Sequence, residues 1–224
     1  MPHKSPFTRE IFDAWDKLVL NNGDKLTLDQ RFAGWQNLHA MCLQNGKWIV
    51  GFMDASLAAS LGYYLAMEKK DWTNARLLAN KILAHPEANN FPNDPHLSSA
   101  HGIEIAAGIL CGDLDASIKK SLRLIDEKFF GRWSKAFLQC SIGHLSDVLH
   151  ELTPSGVLDP KLQDYAFELM KRFPGFKKRA KEVLTMTSNQ EVMDWIDAIM
   201  KENWERNKAA WTKSVKCLHP EFEG

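Results

Sequence analysis

The chain has 224 residues, 45% of them hydrophobic, and its 28 Lys and Arg are matched by 28 Asp and Glu, so the formal net charge is zero. That apolar share supports a sizeable core in one domain, while the balanced charge gives no global field to draw the chain to nucleic acid or an anionic membrane. No apolar stretch is long enough to span a bilayer, and MPHKSPFTRE at the N-terminus lacks the apolar run of a secretory leader.

Residues 8–21 place Ile11, Phe12, Trp15, Leu18 and Val19 on one face at helical spacing, and Asn22-Gly23-Asp24 stops the pattern. Thr27-x-x-Gln30 has the form of a capping box. Phe32, Trp35, Leu38 and Cys42 then share a face, with Asn45-Gly46 as the expected end of that helix. The second hairpin has a helix over 48–67 with Met53, Leu57, Leu61 and Tyr64 in register, a charged break at Glu68-Lys69-Lys70, and a helix over 72–84 opened by Asp71 as N-cap and closed by Pro86. The next stretch, HPEANNFPNDPH, is too rich in turn residues for a helix and reads as a long loop, a type that carries function more often than average. Asp94-Pro95 supplies an N-cap and an N1 proline for the third hairpin's first helix.

The third hairpin comprises 95–111 and 113–129, separated by Gly112, and the fourth comprises 132–152 and 159–173, joined by TPSGVL. Residues 175–185 form a short basic helix candidate. Ser188-x-x-Glu191, a second capping box, opens the longest periodic run, 188–215, with Val192, Trp195, Ile196, Ile199 and Met200 on one face. No run of alternating β-branched residues is long enough for a strand. The fold class is therefore all-α: stacked antiparallel hairpins over about 8–43, 48–84, 95–129 and 132–173, then C-terminal helices over 175–215, in a single domain 1–224. Leu61, Leu78, Ile82, Ile109, Ile118 and Leu122 are the expected core between the second and third hairpins.

Asp71 to Pro86 and Asp159 to Pro174 each span 15 residues and are displaced by 88 positions, with Asp113 between them. A helix pair recurring about every 44 residues is the signature of a helical solenoid, because one hairpin must stack on the next to bury its apolar face. An irregular bundle of equal-length hairpins is the alternative.

The segment LGYYLAMEKKDWTNARLLANKILAHP resembles a tetratricopeptide repeat. Leu61-Gly62 matches the small-residue position of its first helix, Asp71-Trp72-x-x-Ala75 matches the turn and small residue of its second, and Pro86 matches the closing proline. GDLDASIKKSLRLI, from Gly112, resembles the same turn and second helix, with Ser117 where the family has alanine. The segment departs from the family by one extra residue between the helices of the first copy, by no matching glycine in the first helix of the second copy, and by a period longer than about 34 residues. The resemblance covers about 60 residues. It implies a tetratricopeptide-like stack that binds another polypeptide, with no catalytic residues carried over.

Motifs for phosphate loops, nucleophile elbows, zinc proteases and EF-hands are absent. Cys42, Cys111, Cys140 and Cys217 are scattered with no CxxC pair, so free thiols in a reducing cytoplasm are expected, and no cofactor is implied. His101-x-x-Glu104 and His144-x-x-Asp147 each place imidazole and carboxylate on one helix face. If their helices pack side by side they are the residues of an alternative function, a helical metal-dependent hydrolase. Lys171, Arg172, Lys177, Lys178, Arg179 and Lys181, interleaved with Phe173 and Phe176, suit an acidic partner or a solvated helix face.

The expected function is a cytoplasmic, non-enzymatic protein–protein interaction module, of bacterial immunity or adaptor type, that binds one protein partner. In stacked hairpins the first helix of each pair lines the inner surface. Asp54, Tyr63, His101, Glu104, Arg132 and His144 are the partner-binding candidates there, with Tyr63 and Arg132 as hot spots. Trp204 and Trp211, seven apart on the last helix, are a second aromatic surface.

Overall fold

A computed structural model describes residues 8–19, 25–91, 94–126, 134–152, 156–173 and 176–218. The chain divides into two compact units, Met1–His144 and Leu145–Gly224. The all-α class holds, and no helix among the described residues is long and apolar enough to cross a membrane.

The first unit contains α1 (Arg9–Val19), α2 (Leu28–Met41), α3 (Phe52–Glu68), α4 (Trp72–Leu83), α5 (Pro95–Leu110), α6 (Leu114–Asp126) and the start of α7 (Ser134–Leu152). Its caps agree closely with the sequence. Thr27 accepts from the Gln30 amide while the Gln30 side chain accepts from the Thr27 amide, closing the box. Asp71 accepts from Asn74 N–H, and Asp94 from His96 N–H with Pro95 at N1.

One boundary differs. Between α2 and α3 the chain makes a small antiparallel hairpin, β1 (Leu43–Gln44) and β2 (Lys47–Trp48), where no strand was expected. Asn45 and Gly46 have φ of 51° and 75°, the pair of left-handed residues that a two-residue hairpin turn requires. Asn-Gly is thus a strand connection and not a helix stop, and α3 starts at Phe52.

Two helix pairs turn in the same way. After α3, Lys70 N–H bonds to Met67 C=O and Asp71 N–H to Ala66 C=O; after α5, Gly112 N–H bonds to Ile109 C=O and Asp113 N–H to Gly108 C=O. Both are Schellman closures around a left-handed residue, Lys70 at φ 60° and Gly112 at φ 94°. Each leads into a helix whose fourth position is small and buried, Ala75 or Ser117.

α3 and α5 are rich in Ala, Gly and Ser and lie at the centre, with α4 packed on both. Small side chains let the axes approach. A Cβ on Gly62 would fall inside the Trp35 indole, which lies across α3 and donates from Nε1 to Ala58 C=O at 2.8 Å. On α4, Ala75, Leu78, Ala79 and Ile82 bury one face at i, i+3, i+4, i+7 spacing. Of the expected inter-hairpin core, Leu78, Ile82 and Ile109 are buried, whereas Leu61, Ile118 and Leu122 are half-buried.

The long loop after α4 is fastened to α3. Gly51 offers no side-chain cap, and the Glu87 carboxylate accepts from Phe52 N–H at 3.1 Å instead. Phe91 stacks on Phe52 with ring centroids 5.0 Å apart, and His85 meets the same ring edge-on.

The second unit contains the end of α7, α8 (Pro160–Arg172), a 3-10 turn (Ala180–Thr185) and α9 (Asn189–Leu218). The short basic helix expected over 175–185 is thus a turn and a 3-10 segment. Gln163 ties it to α8, donating from Nε2 to Val183 C=O and Met186 C=O, each at 3.1 Å. Ser188 and Glu191 form the expected capping box. Leu162, Tyr165, Ala166, Leu169 and Met170 from α8 and Val192, Met193, Ile196 and Ile199 from α9 are buried.

Candidate functional site

The three helices at the start of the first unit enclose an open cleft of about 170 Å³. Ile11, Phe12 and Trp15 of α1 form one wall, Leu38 and Cys42 at the end of α2 the floor, and Asp54, Leu57 and Ala58 of α3 the other wall. Glycines set the spacing. A Cβ on Gly34 of α2 would come within 2.5 Å of Leu18 on α1, and Gly62 admits Trp35 between α2 and α3. Of the lining residues, Ile11, Leu38 and Cys42 are buried, while Phe12 is 40% exposed.

The wall chemistry is apolar with one acid. Asp54 stands in the first turn of α3, where a carboxylate is favoured by the helix dipole. Burial, and then the Asp54 charge, push the Cys42 thiol up to about 11, which favours the protonated thiol at neutral pH.

Among the sequence-derived candidates, Asp54 alone lines this cleft. Tyr63 is a correction: it is fully buried and offers no surface, whereas its neighbour Tyr64 is exposed and bonds through its hydroxyl to Ser99. Glu104 is a second correction, being 5% exposed and structural. Lys120 Nζ lies 2.6 Å from its Oε2 and Arg76 Nε 3.6 Å from its Oε1, while Arg76 Nη1 also donates to Asp113 Oδ2 at 2.6 Å. One carboxylate on α5 thus joins α4 to α6.

α5 and α7 do approach one another, with a Cβ on Gly102 placed 3.0 Å from His144 Cδ2 and the His101 ring edge-on to Phe137. The imidazoles and carboxylates are nevertheless not brought together as ligands. Glu104 is engaged by two cations, and among the described residues no group of three His, Cys, Asp or Glu is placed to hold a metal. Arg132 and the Trp211 side chain lie outside the described residues, and Trp204 is 65% exposed on α9.

The basic run separates into parts. Arg172 pairs with Glu168 and Arg179 with Glu202, Lys177, Lys178 and Lys181 are exposed, and the interleaved Phe173 and Phe176 are buried against each other. The sequence pattern concealed the cleft because Phe12, Trp15 and Leu57 fit core registers.

Two half-buried histidines are expected to make the fold acid-sensitive. Burial, followed by Lys120 for His101 and Lys81 for His39, lowers both to about 4. His39 lies stacked on Trp35 and edge-on to Trp48. In the unfolded chain each imidazole takes its proton near pH 6.5. Between about pH 6.5 and 4 the unfolded state therefore binds more protons, and stability falls as pH falls through that window. Unfolding free energies from urea titrations at pH 7 and pH 5 should differ by about 1–2 kcal/mol once the partial exposure of both rings is allowed for, and the double variant His39→Gln/His101→Gln should flatten most of the difference.

Compared with known proteins, the chain matches no protein-family profile, no curated protein sequence and no solved structure.

Proposed function

We propose that the chain is a non-enzymatic protein-binding module of stacked helix pairs, an adaptor or immunity-type protein that holds one protein partner in the cytoplasm. The observation that carries this reading is the open apolar cleft of α1, α2 and α3, with the exposed Phe12 in its wall. The stacked-pair arrangement is supported by the common Schellman closures after α3 and α5 and by the packing of α3 on both α4 and α5. The described cysteines are free thiols, which suits a reducing compartment.

The test is affinity capture from the source cell with the wild-type chain and Leu57→Glu. Leu57 is only half-buried, so the charge should leave the helical circular dichroism unchanged. Loss of a hot-spot contact worth about 2 kcal/mol should weaken recovery of the partner about thirtyfold. Equal recovery by both proteins, or none by either, counts against the reading.

A further inference from the structure

We infer that residues 85–91 form an acid-released strap: neutral His85 keeps it closed on the start of α3, and the imidazolium opens it and uncovers Phe52. The device is independent of the protein-binding reading. Its fastenings form a chain. His85 Nδ1 accepts from Glu87 N–H at 3.1 Å, which turns the loop back towards α3. The Glu87 carboxylate in turn accepts from Phe52 N–H at 3.1 Å. The Phe91 ring stacks on Phe52 and the His85 ring meets it edge-on, with centroids 5.6 Å apart. Beneath them Phe52 is 1% exposed.

The Nδ1 acceptor is the sensitive point. A ring nitrogen accepts a hydrogen bond only while it carries no proton, and both nitrogens of an imidazolium are donors. A proton on Nδ1 would face the Glu87 N–H donor. His85 is 8% exposed, so its ring cannot turn to water without leaving Phe52. Glu87 is the charge that acts on the ring among the described residues, and its carboxylate is already engaged by Phe52 N–H. Lys81, one turn earlier on α4, lies over the Trp48 ring, and Asp54 acts on the Cys42 thiol. The imidazolium therefore either leaves the strap or draws Glu87 away from the Phe52 amide. Both routes undo the first turn of α3, which opens on Gly51 with no side-chain cap of its own. Burial holds the closed imidazole below its usual range, against the Glu87 charge and the Val50 backbone carbonyl, which favour the cation. The released ring takes its proton near pH 6.5. Below that pH the open form binds more protons, and opening is favoured until the closed form is protonated too.

The experiment is amide hydrogen exchange by NMR on the full chain at pH 7.5 and 5.5, each rate divided by its intrinsic value, for wild type and His85→Asn. Asn offers an oxygen to the Glu87 amide, as the imidazole nitrogen does, and does not titrate. On acidification the protection of the Phe52 and Glu87 amides should fall about three- to tenfold further in wild type than in His85→Asn, tenfold being about the limit for one proton over this range. The buried Leu78 of α4 is the control, and its protection should change equally in the two proteins. His39 and His101 are present in both, so their effect cancels. Equal falls at Phe52 and Glu87 in the two proteins overturn the inference. So does a wild-type excess as large at Leu78 as at Phe52, which would assign His85 to the whole fold. Should His85→Asn not fold, the wild type alone decides: the His85 ring nitrogen resonances and the Phe52 amide resonance should titrate with one midpoint, below about pH 6.5. Protonation of His85 with the Phe52 amide unmoved overturns the strap.

Discussion

The double variant Arg76→Met/Lys120→Met is expected to lose about 3–5 kcal/mol of stability, because it strands a carboxylate that the fold keeps out of water. The Glu104 side chain is 7% exposed, and its oxygens face Lys120 at 2.6 Å and Arg76 at 3.6 Å. Those cations are themselves 32% and 28% exposed, so the acid bears most of the desolvation. Taking a charge from water is tolerated only while a partner compensates it. Removing the charge as well, in Arg76→Met/Glu104→Met/Lys120→Met, should therefore restore most of the loss. Urea unfolding of the wild type and the two variants measures this directly. A triple variant no more stable than the double would show that packing of the long side chains, and not the ionic pairing, holds α4, α5 and α6 together.

Tyr63→Ala should cost about 3–5 kcal/mol, the usual loss for a fully buried aromatic, whereas Tyr63→Phe should stay within about 1 kcal/mol of wild type. The ring is 0% exposed, packed edge-on against Tyr64 with centroids 4.9 Å apart. Its hydroxyl sits near Ser99 without a hydrogen bond of ordinary geometry to any described residue, and burial pushes the phenol well above its usual range. Removing the oxygen therefore takes away little, while removing the ring leaves a cavity in the middle of α3. Thermal unfolding of both variants separates the two effects. Partner binding by Tyr63→Phe should match wild type, since the residue shows no surface to bind with.

The caps were legible in the sequence because each is local: Thr27 with Gln30, Asp71, Asp94-Pro95, and Ser188 with Glu191 all act within one turn. The turns after α3 and α5 were legible for the same reason. The orientation of α3 was not. Phe52–Glu68 is apolar or small almost all round, so periodicity cannot say whether Tyr63 or Tyr64 faces inward. That choice is made by neighbours distant in sequence, above all by Trp35 seated over Gly62. Asn45-Gly46 reads in the sequence as a helix stop, whereas the pairing of Leu43 with Trp48 makes it a hairpin turn. Glu104 looked like a ligand because its cations come from other helices. The cleft was hidden because a gap between helices has no residue pattern of its own; Asp54 was reached from helix register, without its surroundings.

The carboxylate of Glu87 ties the start of the second helix pair to the chain beyond its end. α3 opens on a glycine, and its first amide finds an acceptor only 35 residues further along, past the whole of α4 and the turn at Pro86. A helix of this kind frays at its start until the later segment docks, because nucleation is the unfavourable step and an uncapped first turn makes it worse. Phe91 on the Phe52 ring and Glu87 on the Phe52 amide hold the same residue. Opening of that loop would therefore take the acceptor from the first amide of α3, at the turn that carries Asp54.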